Sequence, residues 1–189
     1  MKTCLILIDV VKEFFDEKGA FYFPKTKEIL PKIKGLVEVA RENRVPIVYV
    51  VDEHRKGKYD REIEFLGKKH CLEGDFGSEV VEEVRPLSED YVVKKRRYSG
   101  FFATDLDLIL RELKVDTLLV VGVKTNVCVR ATVHDAFYLG YNVLVVRECV
   151  ASNDSYLHEA SLRDIERYYG RVIGFKEALK LLKGEIHLG

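Results

Sequence analysis

Six short apolar runs are spaced along the chain: Thr3 to Ile8, Ile47 to Val51, Tyr91 to Val93, Thr117 to Val121, Asn142 to Val146 and the brief Arg171 to Ile173. The longer ones are continuous rather than alternating, the pattern of parallel strands covered on both faces. Helical spacing fills the gaps. Ile29, Ile33, Leu36, Val37 and Ala40 predict a helix over 29–43, with Pro31 in its first turn. Residues 16 to 27 read as an irregular loop, and Ser78 as the cap of a short helix through Val84. Thr104 to Asp107 resembles a capping box ahead of Leu106, Ile109, Leu110 and Leu113. Ala131, Ala136, Phe137 and Leu139 carry a helix stopped by Gly140, and helices over 156–169 and 176–182 follow. Regular alternation of strand and helix predicts one α/β domain over residues 1–189, a three-layer α/β/α architecture around a sheet of about six mostly parallel strands.

Composition narrows this picture. With 189 residues, 47% of them hydrophobic, the chain can bury one sizeable core. Lysine plus arginine balance aspartate plus glutamate at 31 each, which gives no general electrostatic case for nucleic acid or an anionic membrane surface. The apolar runs fall short of the roughly 18–20 residues a membrane span needs. The first run is cut off by Asp9, so it is not expected to be a signal peptide, and a cytoplasmic location is expected. Four cysteines show no Cys-x-x-Cys pair and no disulfide-scaffold density. Charged residues at 33%, no glutamine and one methionine suggest a heat-adapted source.

Candidate chemistry gathers where strands end. Asp9 follows the first strand, a lysine of the 94–95 pair follows the third, and Cys128 lies just beyond the fourth, where a helix is about to begin. Parallel strands place their carboxyl ends on one sheet edge, so these groups converge if the strands are neighbours. Unpaired N–H groups at a helix start lower a thiol's pKa and can hold an oxyanion. A carboxylate able to take the thiol proton and an ammonium able to stabilise the thiolate complete a set suited to acyl transfer. Asp52 and His54, two residues apart, can share a metal, and His70 follows in a charged loop. From spacing alone, two solvated histidines in a polar region are the preferred reading.

Three segments together resemble the isochorismatase-like cysteine hydrolases, which include nicotinamidase/pyrazinamidase. They are Leu5-Ile6-Leu7-Ile8-Asp9 with Phe14; Lys95-Arg96-Arg97-Tyr98-Ser99-Gly100-Phe101 with Thr104-Asp105-Leu106; and Gly122-Val-x-Thr-x-x-Cys128-Val-x-Ala-Thr-x-x-Asp135-Ala-x-x-x-Gly140-Tyr141. The resemblance implies Asp9 as general acid/base, Lys95 as catalytic cation and Cys128 as nucleophile. The backbone amides of Lys124 and Cys128 would form the oxyanion hole beside a cis Val123–Lys124 peptide. It implies a divalent metal, zinc or iron, on Asp52, His54 and His70, and Phe14 and Tyr98 as ring contacts. The implied reaction is hydrolysis of a small carboxamide, nicotinamide first, through a thioester. The alternatives are another member of the superfamily acting on N-carbamoyl or ureide-type amides, or a non-catalytic binding or redox-sensing module. A homo-oligomer is the family's usual state. Two positions depart from the pattern: Val11 replaces a frequent glutamine, and Gly67 replaces a frequent aromatic, so that one wall of a nicotinamide-sized pocket is either missing or supplied elsewhere, with Phe65 as the candidate.

Overall fold

The computed structural model describes residues 2–188 of the chain. Six strands form one sheet: β1 (Thr3–Ile8), β2 (Ile47–Asp52), β3 (Tyr91–Lys95), β4 (Thr117–Val123), β5 (Asn142–Ala151) and β6 (Arg171–Ile173). Their order is β3-β2-β1-β4-β5-β6, and every neighbouring pair is parallel. Alternate residues of β1 explain its unbroken hydrophobicity. Leu5 and Leu7 join one core cluster with helices α2 (Lys25–Glu42) and α7 (Phe175–Leu182). Cys4, Ile6 and Ile8 join a second, with α4 (Leu106–Glu112), α5 (Arg130–Tyr138) and α6 (Ser155–Tyr168). The three layers expected from the sequence are therefore present. No helix among the described residues is long and apolar enough to cross a membrane.

Three local expectations change. Helix α2 starts at Lys25, so Pro31 lies inside it rather than in its first turn. No helix runs from Ser78 to Val84: two single 3-10 turns, Phe76–Ser78 and Glu82–Val84, flank an extended piece. That piece is held extended because Val80 bridges to Val11, and the Lys12 amide donates to the Glu79 carbonyl at 2.8 Å. The charged loop before His70 contains a short helix, α3 (Arg61–Leu66), whose N-cap is Asp60.

The strand order positions the site. From β1 the chain builds outward through β2 to the edge strand β3, then returns to lay β4 on the other side of β1. The crevice at such a reversal opens at the strands' carboxyl ends. Strands β1 and β4 come very close there: a Cβ on Gly122 (φ +115°) would lie 2.0 Å from the Ile8 carbonyl oxygen, so only glycine fits.

Candidate active site

Asp9 is the first residue past β1 and adopts a positive φ of 50°, a conformation aspartate tolerates better than bulkier residues. Its carboxylate is fully buried. Oδ1 accepts a hydrogen bond from the Asp52 amide at 2.8 Å, while Oδ2 is ion-paired with Lys95 Nζ at 3.0 Å. Lys95 closes β3 opposite Asp52 in the register, which brings its side chain over the strand ends. Its Nζ is 3.3 Å from Asp52 Oδ1 and donates to Cys128 Sγ at 3.5 Å. Cys128 sits in a π-helical turn, Thr125–Val129, between β4 and α5, and the Val123–Lys124 peptide before that turn is cis. The Thr132 hydroxyl bonds back to the Cys128 carbonyl at 2.7 Å and accepts from the Gly100 amide at 2.9 Å, tying this turn to the segment after β3. The three groups inferred from strand ends thus meet around one ammonium.

Burial dominates their electrostatics. It raises the pKa of Asp9, a shift that Lys95 opposes and the Asp52 charge reinforces. Burial penalises the Lys95 ammonium, yet Asp52 and Asp9 together raise its pKa well above the usual lysine value. The Cys128 thiol is also pushed up, by burial first and then by the two carboxylates, against the pull of Lys95. Burial thus works against the acidification expected from the helix start and favours the thiol, which needs a base to react. Asp9, in hydrogen-bond contact with the Cys128 side chain, offers its carboxylate for that proton.

The second cluster adjoins the first through Asp52. Asp52, His54, Glu62 and His70 are all buried, and their potential ligand atoms lie within 4.8 Å of one another. His54 Nε2 and His70 Nε2 lie 3.2 and 3.4 Å from Asp52 Oδ2, and Glu62 Oε2 is 3.8 Å from His54 Nε2. The outer ring nitrogens are held elsewhere: His54 Nδ1 lies 2.9 Å from Asp60 Oδ2, and His70 Nδ1 2.9 Å from the Lys68 carbonyl. Both rings therefore aim Nε2 inward, with their other nitrogen fixed by an oxygen, as metal-binding histidines require. Glu62 Oε1 is buried without a partner. Burial and the Asp52 charge raise the Glu62 pKa to about 7. Burial lowers the His54 pKa, but Asp52 and Asp60 more than reverse this, to about 9. Two imidazoles and two carboxylates fit a divalent transition metal such as zinc or iron. Sequence reasoning found Asp52, His54 and His70 but missed Glu62 and Asp60. Their signal was the N-cap aspartate opening α3, where the side chain accepts from the Glu62 and Ile63 amides.

Above Cys128 lies a cavity of about 130 Å³. Phe14 and Tyr98, both expected, form its walls together with Phe21 and Leu66, and His70 borders it. Phe21 packs edge-on against His70, with centroids 5.0 Å apart, and stacks with Phe14 at 6.1 Å. The wall left open at Gly67 is thus supplied by Phe21 and Leu66. Phe65 is 80% exposed and is not part of the cavity. Glu13, buried beneath these walls, accepts from the Ala20 amide at 2.6 Å and the Cys71 amide at 3.2 Å. One carboxylate therefore anchors the residue before Phe21 and the residue after His70.

The chain is similar to several known amidases and amidohydrolases. N-carbamoylsarcosine amidase from Thermoplasma acidophilum is 35% identical, with a TM-score of 0.82 over 93% of this chain and 97% of that one. Nicotinamidase from Bacillus subtilis is 30% identical, with a TM-score of 0.86 over 92% of this chain and all of the other. Maleamate amidohydrolase from Pseudomonas putida is 30% identical over 188 residues, 96% of this chain and 87% of its own. The model of the isochorismatase domain matches residues 3–177, from the first strand into the last helix, so the chain belongs to the isochorismatase family.

Proposed function

We propose that this protein is a cysteine-dependent amidohydrolase of small carboxamides. The observation that carries the reading is the placement of Lys95 Nζ, 3.0 Å from Asp9 Oδ2 and 3.5 Å from Cys128 Sγ, beneath a cavity sized for one small molecule. In the reaction, the Cys128 sulfur attacks the amide carbonyl while its proton passes to Asp9 Oδ2. The carbonyl oxygen becomes an oxyanion, received by the backbone amides of residues 124 and 128 at the helix start. Asp9 then gives the proton to the departing nitrogen, ammonia leaves, and a thioester remains. Water, deprotonated by Asp9, attacks the thioester; the C–S bond breaks, the thiol recovers its proton, and the acid is released. Lys95 offsets negative charge on Asp9 and sulfur throughout. A divalent metal on Asp52, His54, Glu62 and His70 would supply an electrophilic anchor for a substrate heteroatom.

The cavity volume limits the substrate to about one ring, since a dry cavity of roughly 150 Å³ takes up benzene. Nicotinamide fits both the aromatic walls and the adjacent metal set, whose anchor would meet a ring nitrogen. A second reading, an N-carbamoyl or similar acid-bearing amide, is favoured by the 35% identity to an N-carbamoylsarcosine amidase. The test is ammonia release by metal-loaded protein from nicotinamide, pyrazinamide and N-carbamoyl compounds. The Cys128→Ala variant is expected to lose about 10⁴-fold or more of kcat. Absence of ammonia from every amide, or full activity in Cys128→Ala, would overturn the reading in favour of a binding or redox module.

A further inference from the structure

The cavity has one feature that hydrolysis does not use. The Lys124 side chain, half-buried, forms part of its wall beside Cys128. Its ammonium lies 5.4 Å from the Phe21 ring centroid and 5.8 Å from that of Phe23. A second ammonium, of Lys68, stands 4.9 Å from the same Phe21 ring and is tethered to the Ala20 carbonyl. Lys124 has no ion-pair or hydrogen-bond partner for its side chain among the described residues, and the titratable groups acting on it are Cys128 and Lys68, with no carboxylate among them. Burial and the Lys68 charge lower its pKa, so holding it here as a cation costs stability. The ring faces offset some of that and leave the charge uncompensated.

We propose that Lys124, assisted by Lys68, binds a carboxylate on the substrate, so that the amides hydrolysed here are acid-bearing ones such as half-amides of dicarboxylic acids or N-carbamoyl amino acids. The inference rests on the amidohydrolase reading and chooses between its two substrate types. An anion bound there neutralises the unpaired ammonium on the cavity wall while the substrate's amide end lies over Cys128. A neutral ring such as nicotinamide leaves that half-buried ammonium unmatched beside it, which costs affinity. The lysine's main-chain amide serves the oxyanion in any case, so its side chain is free to set specificity.

The test compares succinamate with 4-methylpentanamide, in which an isopropyl group replaces the carboxylate at the same size. The wild-type kcat/KM ratio is expected to favour succinamate by about tenfold or more, to collapse in Lys124→Met, and to persist in Lys124→Arg. A ratio near one in the wild type, or an unchanged ratio in Lys124→Met with both substrates slowed equally, assigns the lysine a packing role and overturns the inference while leaving the hydrolase intact. Succinate binding, measured calorimetrically, provides a readout independent of turnover. It is expected to weaken about tenfold or more in Lys124→Met and somewhat less in Lys68→Met; equal binding by all three proteins, or none by the wild type, overturns the inference as well.

Discussion

The site has two halves that share one ammonium, and they differ in almost every other respect. On one side Asp9 and Cys128 stand at the ends of adjacent central strands, β1 and β4, whose register and close approach leave them little freedom. On the other, His54, Glu62 and His70 come from the stretch between β2 and β3, held by side-chain clamps and by a backbone bridge from His54 to Leu72 rather than by the central strands. The two carboxylates that Lys95 touches show the contrast directly. Burial raises the pKa of both, but Asp52 also receives bonds from His54 and His70 and is held far below the usual range. Asp9 has no such histidines and is raised. Beside the same cation, the two histidines thus favour the anion at Asp52, which suits a metal, and Asp9 is the carboxylate better able to carry a proton. Their neighbours decide the roles.

Removing the shared group is the strongest way to break this comparison. Lys95→Met leaves Asp9 and Asp52 buried without their counter-charge, and it is expected to cost about 3–5 kcal/mol of stability in urea unfolding as well as activity. Wild-type stability in this variant would mean that the halves do not depend on one another. A smaller effect is expected from the clamp on the metal side. Asp60→Asn removes the charge behind His54 Nδ1 and should weaken metal affinity about 10–100-fold in competition with a chelator, while Cys128 alkylation by iodoacetamide stays unchanged. Loss of thiol reactivity in this variant would erase the distinction between the halves. The smallest effect is expected at Glu13. Glu13→Gln weakens two charge-assisted bonds and should cost about 1–2 kcal/mol, seen as faster hydrogen exchange at the Ala20 and Cys71 amides. Unchanged exchange at both would show that the wall carrying Phe21 and the loop carrying His70 are held independently of Glu13.

Legibility from sequence follows the same division. Continuous apolar runs identified β1, β2 and β4, and with them the address of Asp9 and Cys128, because strands buried on both faces leave a strong one-dimensional pattern. Lys95 was narrowed to a pair by position and to one residue by resemblance; the register that sets it opposite Asp52 is a property of the folded sheet. Between residues 53 and 90 the signal weakens. Helix α3 has six residues, too few to show periodicity, so Glu62 looked like one more charge in a charged loop. Phe21 lies in a loop and gains its role only through contact with His70 and Phe14, distant in sequence. The charge of Lys124 was visible throughout; its lack of a partner became evident only in three dimensions.

The position of β3 at the sheet's margin has one more consequence. An edge strand is hydrogen-bonded on one side only and is ordinarily the first to fray, and here Tyr91 and Val92 are partly exposed along it. Its last residue, however, is the lysine locked between two buried carboxylates. The contacts that prepare the chemistry are therefore also the latch that fastens the margin of the sheet. Any opening that releases this end of β3 also takes Lys95 from both carboxylates.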